Sequence, residues 1–180
     1  VRCALKAGAS CFTHIFNAMP PIAGREPGVV GAAINSDAFA GIICDGIHVA
    51  DEMVAMALRA RPVSDRMYLI SDAMPTVGGP AEFNLYGSKV TLINNRLVNN
   101  EGGLAGAHTT QSEGVKRLVN RIGISIEDAL KMAITVPGNA VGLDLDQLHG
   151  RSIKDIICLN NGLEYQGSLL DLLQQKGKNE

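Results

Sequence analysis

The stretch AGIICDGIH, residues 40–48, decides the fold class. Its first part, Ala40 to Cys44, is apolar or small throughout and carries no charge, which predicts a short strand buried on both faces. Asp45 and Gly46 then mark the end of the strand and the start of a loop. A strand of this kind is typical of a parallel sheet that is covered by helices on both sides.

Segments on either side of this stretch repeat the pattern. Ser10 to Ile15 and Arg66 to Ser71 are predicted to be short apolar strands. Between the second and third strands, the helical spacing of apolar residues predicts a helix over Asp51 to Ala60. The chain thus alternates helix, strand and loop, and we predict an α/β fold with parallel strands.

The second half of the chain shows a different pattern. Phe83 to Asn99 is predicted to form two or three short strands joined by polar turns. A helix is predicted from about Thr110 to Arg121, and the Ser-x-x-Asp spacing of Ser125 and Asp128 predicts the N-terminal cap of another. Lys154 to Leu159 is predicted to be a last strand.

The composition excludes several classes of protein. Among the 180 residues, hydrophobic residues make up 46% and charged residues 19%, which is not the polar, highly charged composition of a disordered chain. The formal net charge of −2 offers no basic surface for displacing the counterions of nucleic acid. Asp37 and Asp45 interrupt the most apolar stretch, which is therefore too short to cross a bilayer. We expect neither nucleic acid nor a membrane as a partner.

The cysteine pattern indicates the redox compartment. None of Cys3, Cys11, Cys44 and Cys158 lies close enough to another in sequence to form a CxxC pair, and the last three sit in apolar runs. We therefore expect buried free thiols in a cytoplasmic protein.

Candidate catalytic residues follow the predicted strands, because ligands of α/β proteins bind at the carboxyl ends of parallel strands. His14 follows the first strand, and it is either a metal ligand or proton carrier or else a core histidine bonded to a backbone carbonyl. His48 follows the second strand, where it either bonds a sugar hydroxyl or phosphate oxygen or only flanks a helix. Asp72 ends the third strand, either as a general base or as the cap of a loop.

Two basic positions are also open to more than one interpretation. Arg25 lies in the Gly/Pro loop FNAMPPIAGREPG, residues 16–28, where its planar guanidinium suits a phosphate or carboxylate, although solvated loop arginines are commoner. Lys116 and Arg117 are predicted to belong to a solvated helix face.

Five short runs of sequence, taken together, carry a resemblance. They are THIFNAMP at 13–20, GREPG at 24–28, DGIH at 45–48, SDA at 71–73 and LAG at 104–106. In this order and at this spacing they closely resemble the N-acetylglucosamine-6-phosphate deacetylase family of the amidohydrolase superfamily. The resemblance is good over about residues 1–145 and poor after that.

The resemblance implies a fold. The chain would be a section of a (β/α)8 TIM-like barrel, about strands six to eight, with a β-hairpin insertion and part of a small β-sandwich domain. Residues 1–145 would be the carboxyl-terminal part of a metal-dependent amidohydrolase barrel, and residues 146–180 would return to the small β domain and end in a polar tail.

The resemblance also implies a reaction, which is hydrolysis of the acetamide of N-acetylglucosamine 6-phosphate to glucosamine 6-phosphate and acetate. It implies a divalent metal, zinc or iron, and a homodimer, because the family's active site borrows residues across the dimer interface. Asp72 matches the catalytic carboxylate, and His14 matches a metal-ligating histidine. The substrate-binding residues that it implies are Asn17, Ala18, Arg25, Asp45, Gly46, Ile47, His48, Leu104, Ala105 and Gly106. The resemblance implies that the family's other two metal ligands, a Glu and a His, would lie upstream of residue 1.

Two other functions are compatible with parts of the pattern. A sugar-phosphate isomerase or aldolase on an α/β barrel would share the phosphate site, but no Lys ends any of the first three predicted strands to act as its base. Alternatively, the chain packs with a partner, binds no metal and catalyses nothing. This second alternative arises because a catalytic zinc normally has three protein ligands, and His14 supplies one.

Overall fold

The computed structural model describes residues 1–143, 150 and 152–177. Its central sheet contains three parallel strands in the order β1-β2-β3, namely β1 Cys11–Phe12, β2 Phe39–Ile43 and β3 Met67–Ile70. The register pairs Phe12 with Ala40 and Ile43 with Ile70. The predicted parallel sheet is therefore confirmed. β1 and β3 are shorter than predicted, and β2 begins one residue earlier.

A fourth parallel segment lies beside the end of β3. Ala73 pairs with Ala107, because the Ala107 amide donates to the Asp72 carbonyl at 2.9 Å and the Met74 amide donates to the Ala107 carbonyl at 3.0 Å. The sheet stays open, and no barrel closes within the residues that the structure describes. The fold is a mixed α/β segment with an open parallel sheet and small antiparallel sheets.

Seven α-helices surround the sheet or follow it in the described residues. They are α1 Arg2–Lys6, α2 Gly28–Ile34, α3 Asp51–Ala60, α4 Gln111–Arg117, α5 Ile126–Ala133, α6 Thr135–Ala140 and α7 Leu169–Lys176. The bounds of α3 are those predicted, and the Ser125 hydroxyl caps α5 by accepting from the Asp128 amide at 3.0 Å. A π-helical segment, Leu118–Ile122, continues α4, so the helix predicted there is present but changes its winding.

The main core lies on one face of the sheet. Met67 and Leu69 point into it from β3, and residues of α2, α3, α4 and α5 pack around them. Tyr68 and Ile70, which alternate with them, are only half-buried. The predicted burial of both faces is confirmed for β2, in which Ala40 to Ile43 are all buried, whereas β3 alternates between buried and half-buried residues.

Two small antiparallel sheets complete the described chain. One contains β4 Glu82–Leu85, β5 Ser88–Ile93 and β6 Arg96–Asn99, and the other contains β7 Ile157–Leu159 and β8 Tyr165–Ser168. The predicted hairpin insertion is thus a three-stranded sheet. The turn between β5 and β6 places Asn94 and Asn95 at φ values of 50° and 64°, as a two-residue hairpin turn requires. The predicted domain boundary at residues 145/146 lies outside the described residues.

The four cysteines are free, but their environments differ. Cys44 is buried, and burial raises the pKa of its thiol to about 12, so it is a packing residue. Cys3 and Cys11 are exposed and Cys158 is half-buried, which corrects the expectation that Cys11 and Cys158 are buried. In the part of the chain that is described, no helix is long and apolar enough to span a membrane.

Candidate functional site

The predicted motifs leave the central sheet at one edge. Because β1, β2 and β3 are parallel and in register, the loops that follow them begin on the same side. The bridge between Ala73 and Ala107 brings the LAG motif to that side as well. Residues from distant parts of the sequence therefore meet at the carboxyl edge of the sheet.

The turn from Asp45 to His48 is the most tightly organised part of this edge. One Asp45 carboxylate oxygen accepts from the amides of Ile47 at 2.8 Å and His48 at 2.9 Å. The other lies 2.7 Å from Nδ1 of the His48 ring. Only 4% of the Asp45 side chain and 7% of the His48 side chain are exposed. Asp45 thus holds the turn and the His48 ring in place. The role that the resemblance implies for Asp45, contact with the substrate, stays a prediction.

Hydrogen bonds and charges shift the pKa values of both His48 and Asp45. The hydrogen bond to Asp45 raises the pKa of His48 despite burial, and the charge of Asp72 and the Gly106 carbonyl add to the rise. Burial disfavours an ionised Asp45, but its hydrogen bonds from His48 and Ile47 outweigh this and lower the pKa of its carboxyl. These shifts favour an ionised Asp45 and a protonated His48, and the Ala73–Ala107 bridge places Asp72 and Gly106 at the same edge of the sheet.

Three predicted site residues adopt the left-handed backbone conformation. The φ angles of His14, Ala18 and Asp72 are 29°, 53° and 51°. Non-glycine residues rarely adopt such angles, which cost on the order of 1–3 kcal/mol each and cluster at functional sites. At Asp72 the bend directs the backbone carbonyl to Ala107, while the carboxylate side chain stays exposed.

His14 is the only predicted metal ligand in the chain, and its surroundings test that role. Its Nδ1 atom is buried without a hydrogen-bond partner among the described residues. Its carbonyl accepts from the Asn17 amide at 2.9 Å, which closes the turn after β1. Within the described ranges, no three His, Cys, Asp or Glu side chains are grouped to hold a metal ion. The unpaired nitrogen suits a ligand, but these residues do not by themselves fit a catalytic metal site.

Other predicted contacts are not joined to this cluster. Arg25 is exposed in the loop before α2, and no ion pair or hydrogen bond of its side chain is present among the described residues. Leu104 forms an antiparallel bridge with Val98, and the Ala105 amide donates to the Leu97 carbonyl at 3.1 Å, so both belong to the edge of the β4–β6 sheet. Their roles toward a substrate stay predictions.

Gly106 is fixed by its neighbours. Its φ of 76° lies in the left-handed region, and a Cβ atom there would lie 2.3 Å from Cγ of Met74. Glycine therefore lets the chain turn from the β4–β6 sheet to the bridge at Ala107 while it passes close to the loop that contains Asp72.

The sequence prediction missed Arg117. Its guanidinium forms a two-point ion pair with Asp51, with Nε–Oδ1 and Nη2–Oδ2 distances of 2.7 Å and 2.9 Å. It also lies against Gly46, where a Cβ atom would meet Nη2 at 2.0 Å. The sequence predicts that Arg117 belongs to a solvated helix face. In the structure its side chain is instead half-buried against Gly46 and Asp51. No local signal marks it, because Asp51 is 66 residues away.

Comparisons with known proteins bear on the family of the chain. No family model matches the chain. It is 33% identical over 147 residues to the N-acetylglucosamine-6-phosphate deacetylase of Haemophilus influenzae, a match that covers 79% of the chain and 38% of that protein. It is 32% identical to a protein of Escherichia coli K12 provisionally named N-acetylgalactosamine-6-phosphate deacetylase, over 85% of the chain and 93% of that protein.

The second match covers nearly all of a relative, and together with the first match it decides the family. The chain belongs to the N-acetylglucosamine-6-phosphate deacetylase family. The deacetylase of Pasteurella multocida has a similar structure, with a TM-score of 0.83 and 32% identity over 93% of the chain and 45% of that protein. The D267A deacetylase of Mycobacterium smegmatis, solved in complex with N-acetyl-D-glucosamine-6-phosphate, has a TM-score of 0.77 and 27% identity over 91% of the chain and 45% of that protein.

These shares show how much of the family's structure the chain represents. It spans 38% of the Haemophilus influenzae deacetylase and 45% of the two solved proteins. An open sheet of three strands is in keeping with such a part of a larger fold.

Proposed function

We propose that this chain forms part of the active site of a deacetylase for N-acetylated hexosamine 6-phosphates, with N-acetylglucosamine 6-phosphate as the substrate. The reaction would hydrolyse the acetamide to give glucosamine 6-phosphate and acetate. The observation that carries the proposal is geometric. The Asp45–His48 turn, the bend at Asp72 and the Ala73–Ala107 bridge, which follows Gly106, all lie at the carboxyl edge of the sheet, in a chain that belongs to a deacetylase family.

Each residue would have a distinct task. The Arg25 guanidinium would bind the phosphate, and Asn17 with the Ala18 backbone would hold the sugar, which fixes the acetamide in place. His48 would contact the substrate through Nε2, because Nδ1 is occupied by Asp45. Asp72 would accept a proton from the attacking water and return it to the departing amine.

The proposal includes a divalent metal, zinc or iron, to which His14 would contribute one ligand. Support comes from its buried Nδ1, which has no partner among the described residues. The remaining ligands are not grouped in the described part of the chain, so the steps above are assigned only to its own residues.

The first experiment measures acetate release from N-acetylglucosamine 6-phosphate by the metal-loaded protein that carries this chain. We expect Asp72→Asn to lower kcat by about 10²- to 10⁴-fold and to leave substrate binding nearly unchanged, because the amide cannot accept the proton. The exposed Asp65 provides the control variant Asp65→Asn, which should keep full activity. Full turnover by Asp72→Asn would remove Asp72 from its proposed role.

The second experiment tests the phosphate site. Arg25→Ala should raise KM for the phosphorylated sugar by about tenfold or more and change kcat little, because a charged contact distant from the amide is lost. The same variant should not change KM for unphosphorylated N-acetylglucosamine, and Arg59→Ala, at an exposed position on α3, should change neither. An unchanged KM for the phosphorylated sugar would contradict the assignment of Arg25.

A second candidate function is a chain that binds no metal and catalyses nothing. It is favoured by one observation, which is that the described residues supply no group of three metal ligands. Metal analysis of the purified protein distinguishes the two. Bound metal with acetate release supports the deacetylase, whereas metal-free protein without turnover supports the second candidate.

A further inference from the structure

The turn that holds His48 rests on a basic side chain from a distant helix. Arg117 ends α4, and its guanidinium covers the backbone of Gly46, the residue that follows Asp45. An added Cβ atom at Gly46 would lie 2.0 Å from Nη2 and 2.2 Å from the central guanidinium carbon. Only a residue without a side chain allows this contact, so the turn and the arginine fit each other closely.

The position of Arg117 is fixed from the other side by Asp51. Two hydrogen bonds of 2.7 Å and 2.9 Å join the guanidinium to the carboxylate in the parallel geometry that arginine forms with acids. Asp51 begins α3 three residues after His48, so the same ion pair ties α4 to the start of α3. Arg121 approaches Asp51 only at 3.7 Å and is 67% exposed, so it contributes far less.

We propose that Arg117 is a positioning residue, which holds the Asp45–His48 turn so that the His48 ring presents Nε2 to the carboxyl edge of the sheet. The guanidinium packs against Gly46 and so holds the turn. In the turn, the Asp45 carboxylate accepts from the amides of Ile47 and His48 and contacts Nδ1 of the His48 ring, which fixes the orientation of the ring. Asp51 keeps the guanidinium in place. The benefit for substrate binding rests on the proposed function, but the positioning itself does not.

Amide hydrogen exchange of the purified protein that carries this chain tests the positioning without any substrate. We expect Arg117→Met to lower the protection of the Ile47 and His48 amides by about tenfold or more, because local opening of the turn becomes easier. The Ala129 amide, which donates to Ser125 in α5 at 3.0 Å, reports on unfolding elsewhere and should keep its protection. The ¹⁵N shifts of the His48 ring should change from one dominant tautomer with a proton on Nδ1 to a mixture.

Two further variants separate geometry from charge. Arg117→Lys keeps the charge but not the planar two-point contact, so we expect it to lose protection at Ile47 and His48 as well. Arg121→Met removes the weaker charge near Asp51 and should leave both amides and the ring unchanged. Unchanged protection in Arg117→Met and Arg117→Lys would overturn the proposal. The proposal would also be overturned if the Ala129 amide lost as much protection as the Ile47 and His48 amides in Arg117→Met, because Arg117 would then stabilise the whole fold and not this turn. Neither result would bear on whether the protein deacetylates a sugar phosphate.

Discussion

The loops after β1 and β2 carry the same kind of predicted site residue but are built differently. In the β2 loop, Asp45 and His48 are almost fully buried, and their contacts are completed within the chain. In the β1 loop, Arg25 is exposed, and the buried Nδ1 of His14 has no partner among the described residues. The contacts of the β2 loop are thus completed within the chain, whereas these two side chains of the β1 loop are without a partner among the described residues.

The difference has a physical cause. A buried carboxylate is stable only when hydrogen bonds and an opposite charge compensate its lost hydration, and the β2 loop supplies both within four residues. The β1 loop contains three prolines and two glycines in residues 16–28 and makes few backbone hydrogen bonds of its own. We therefore expect substitutions to affect the two loops unequally.

Removing the buried acid should give the largest effect. Asp45→Ala leaves the His48 ring and two amides without their acceptor, so we expect the free energy of unfolding to fall by about 3 kcal/mol in urea titrations. Arg25→Ala, in the β1 loop, should change it by less than about 0.5 kcal/mol. Equal losses in the two variants would mean that the loops are equally organised.

A pair of glycine substitutions should give the next largest effect. Gly46→Ala combines a φ of 73° with a clash against Arg117, so we expect a loss of about 1–3 kcal/mol in the free energy of unfolding. Gly24→Ala places its methyl group in open space in the β1 loop and should be neutral or slightly stabilising, by up to about 1 kcal/mol. Thermal unfolding of both variants measures the contrast, and a stable Gly46→Ala protein would contradict the close contact with Arg117.

The smallest effect is a dependence of stability on pH. The pKa of His48 is raised in the folded protein, so its contribution is complete below about 6.5, its ordinary value, and is lost as pH rises through the raised value. The pKa of Asp45 is lowered, so its contribution is complete above about 3.9 and is lost as pH falls through the lowered value.

Urea titrations at pH values between about 4 and 6.5, and at higher pH, measure the free energy of unfolding and check the prediction. The pair should stabilise the fold most between about pH 4 and pH 6.5, and stability should decrease above this range. His48→Gln should remove the part of the decrease that His48 causes. The same slope in both proteins would show that another group is responsible.

Much of the fold could be predicted where the signal is local. The apolar spacing of α3 gave its bounds, the Ser125 and Asp128 pair gave the cap of α5, and the apolar run at 40–44 gave the position of β2 within one residue. Burial was harder to predict. Cys11 sits in an apolar run and is nevertheless exposed, because exposure depends on which segments cover the sheet.

The sequence predicted which residues follow the strands, but it did not predict what each of their side chains contacts. Both Asp45 and Asp72 follow strands, but the carboxylate of Asp45 is used to hold His48, whereas that of Asp72 remains exposed. Sequence position alone cannot separate these cases, because the difference depends on the neighbours that each side chain meets.

By itself, the sequence determined the alternation of strands and helices, the order of the motifs and their placement at strand ends, since apolar spacing and turn residues act over a few positions. Only the tertiary structure decided that Arg117 packs on Gly46, that Ala107 pairs beside β3, and that Gly106 passes close to Met74 and the Asp72 carbonyl. Those contacts join residues that are far apart in the chain, and they exist because the sheet and its helices bring one edge together.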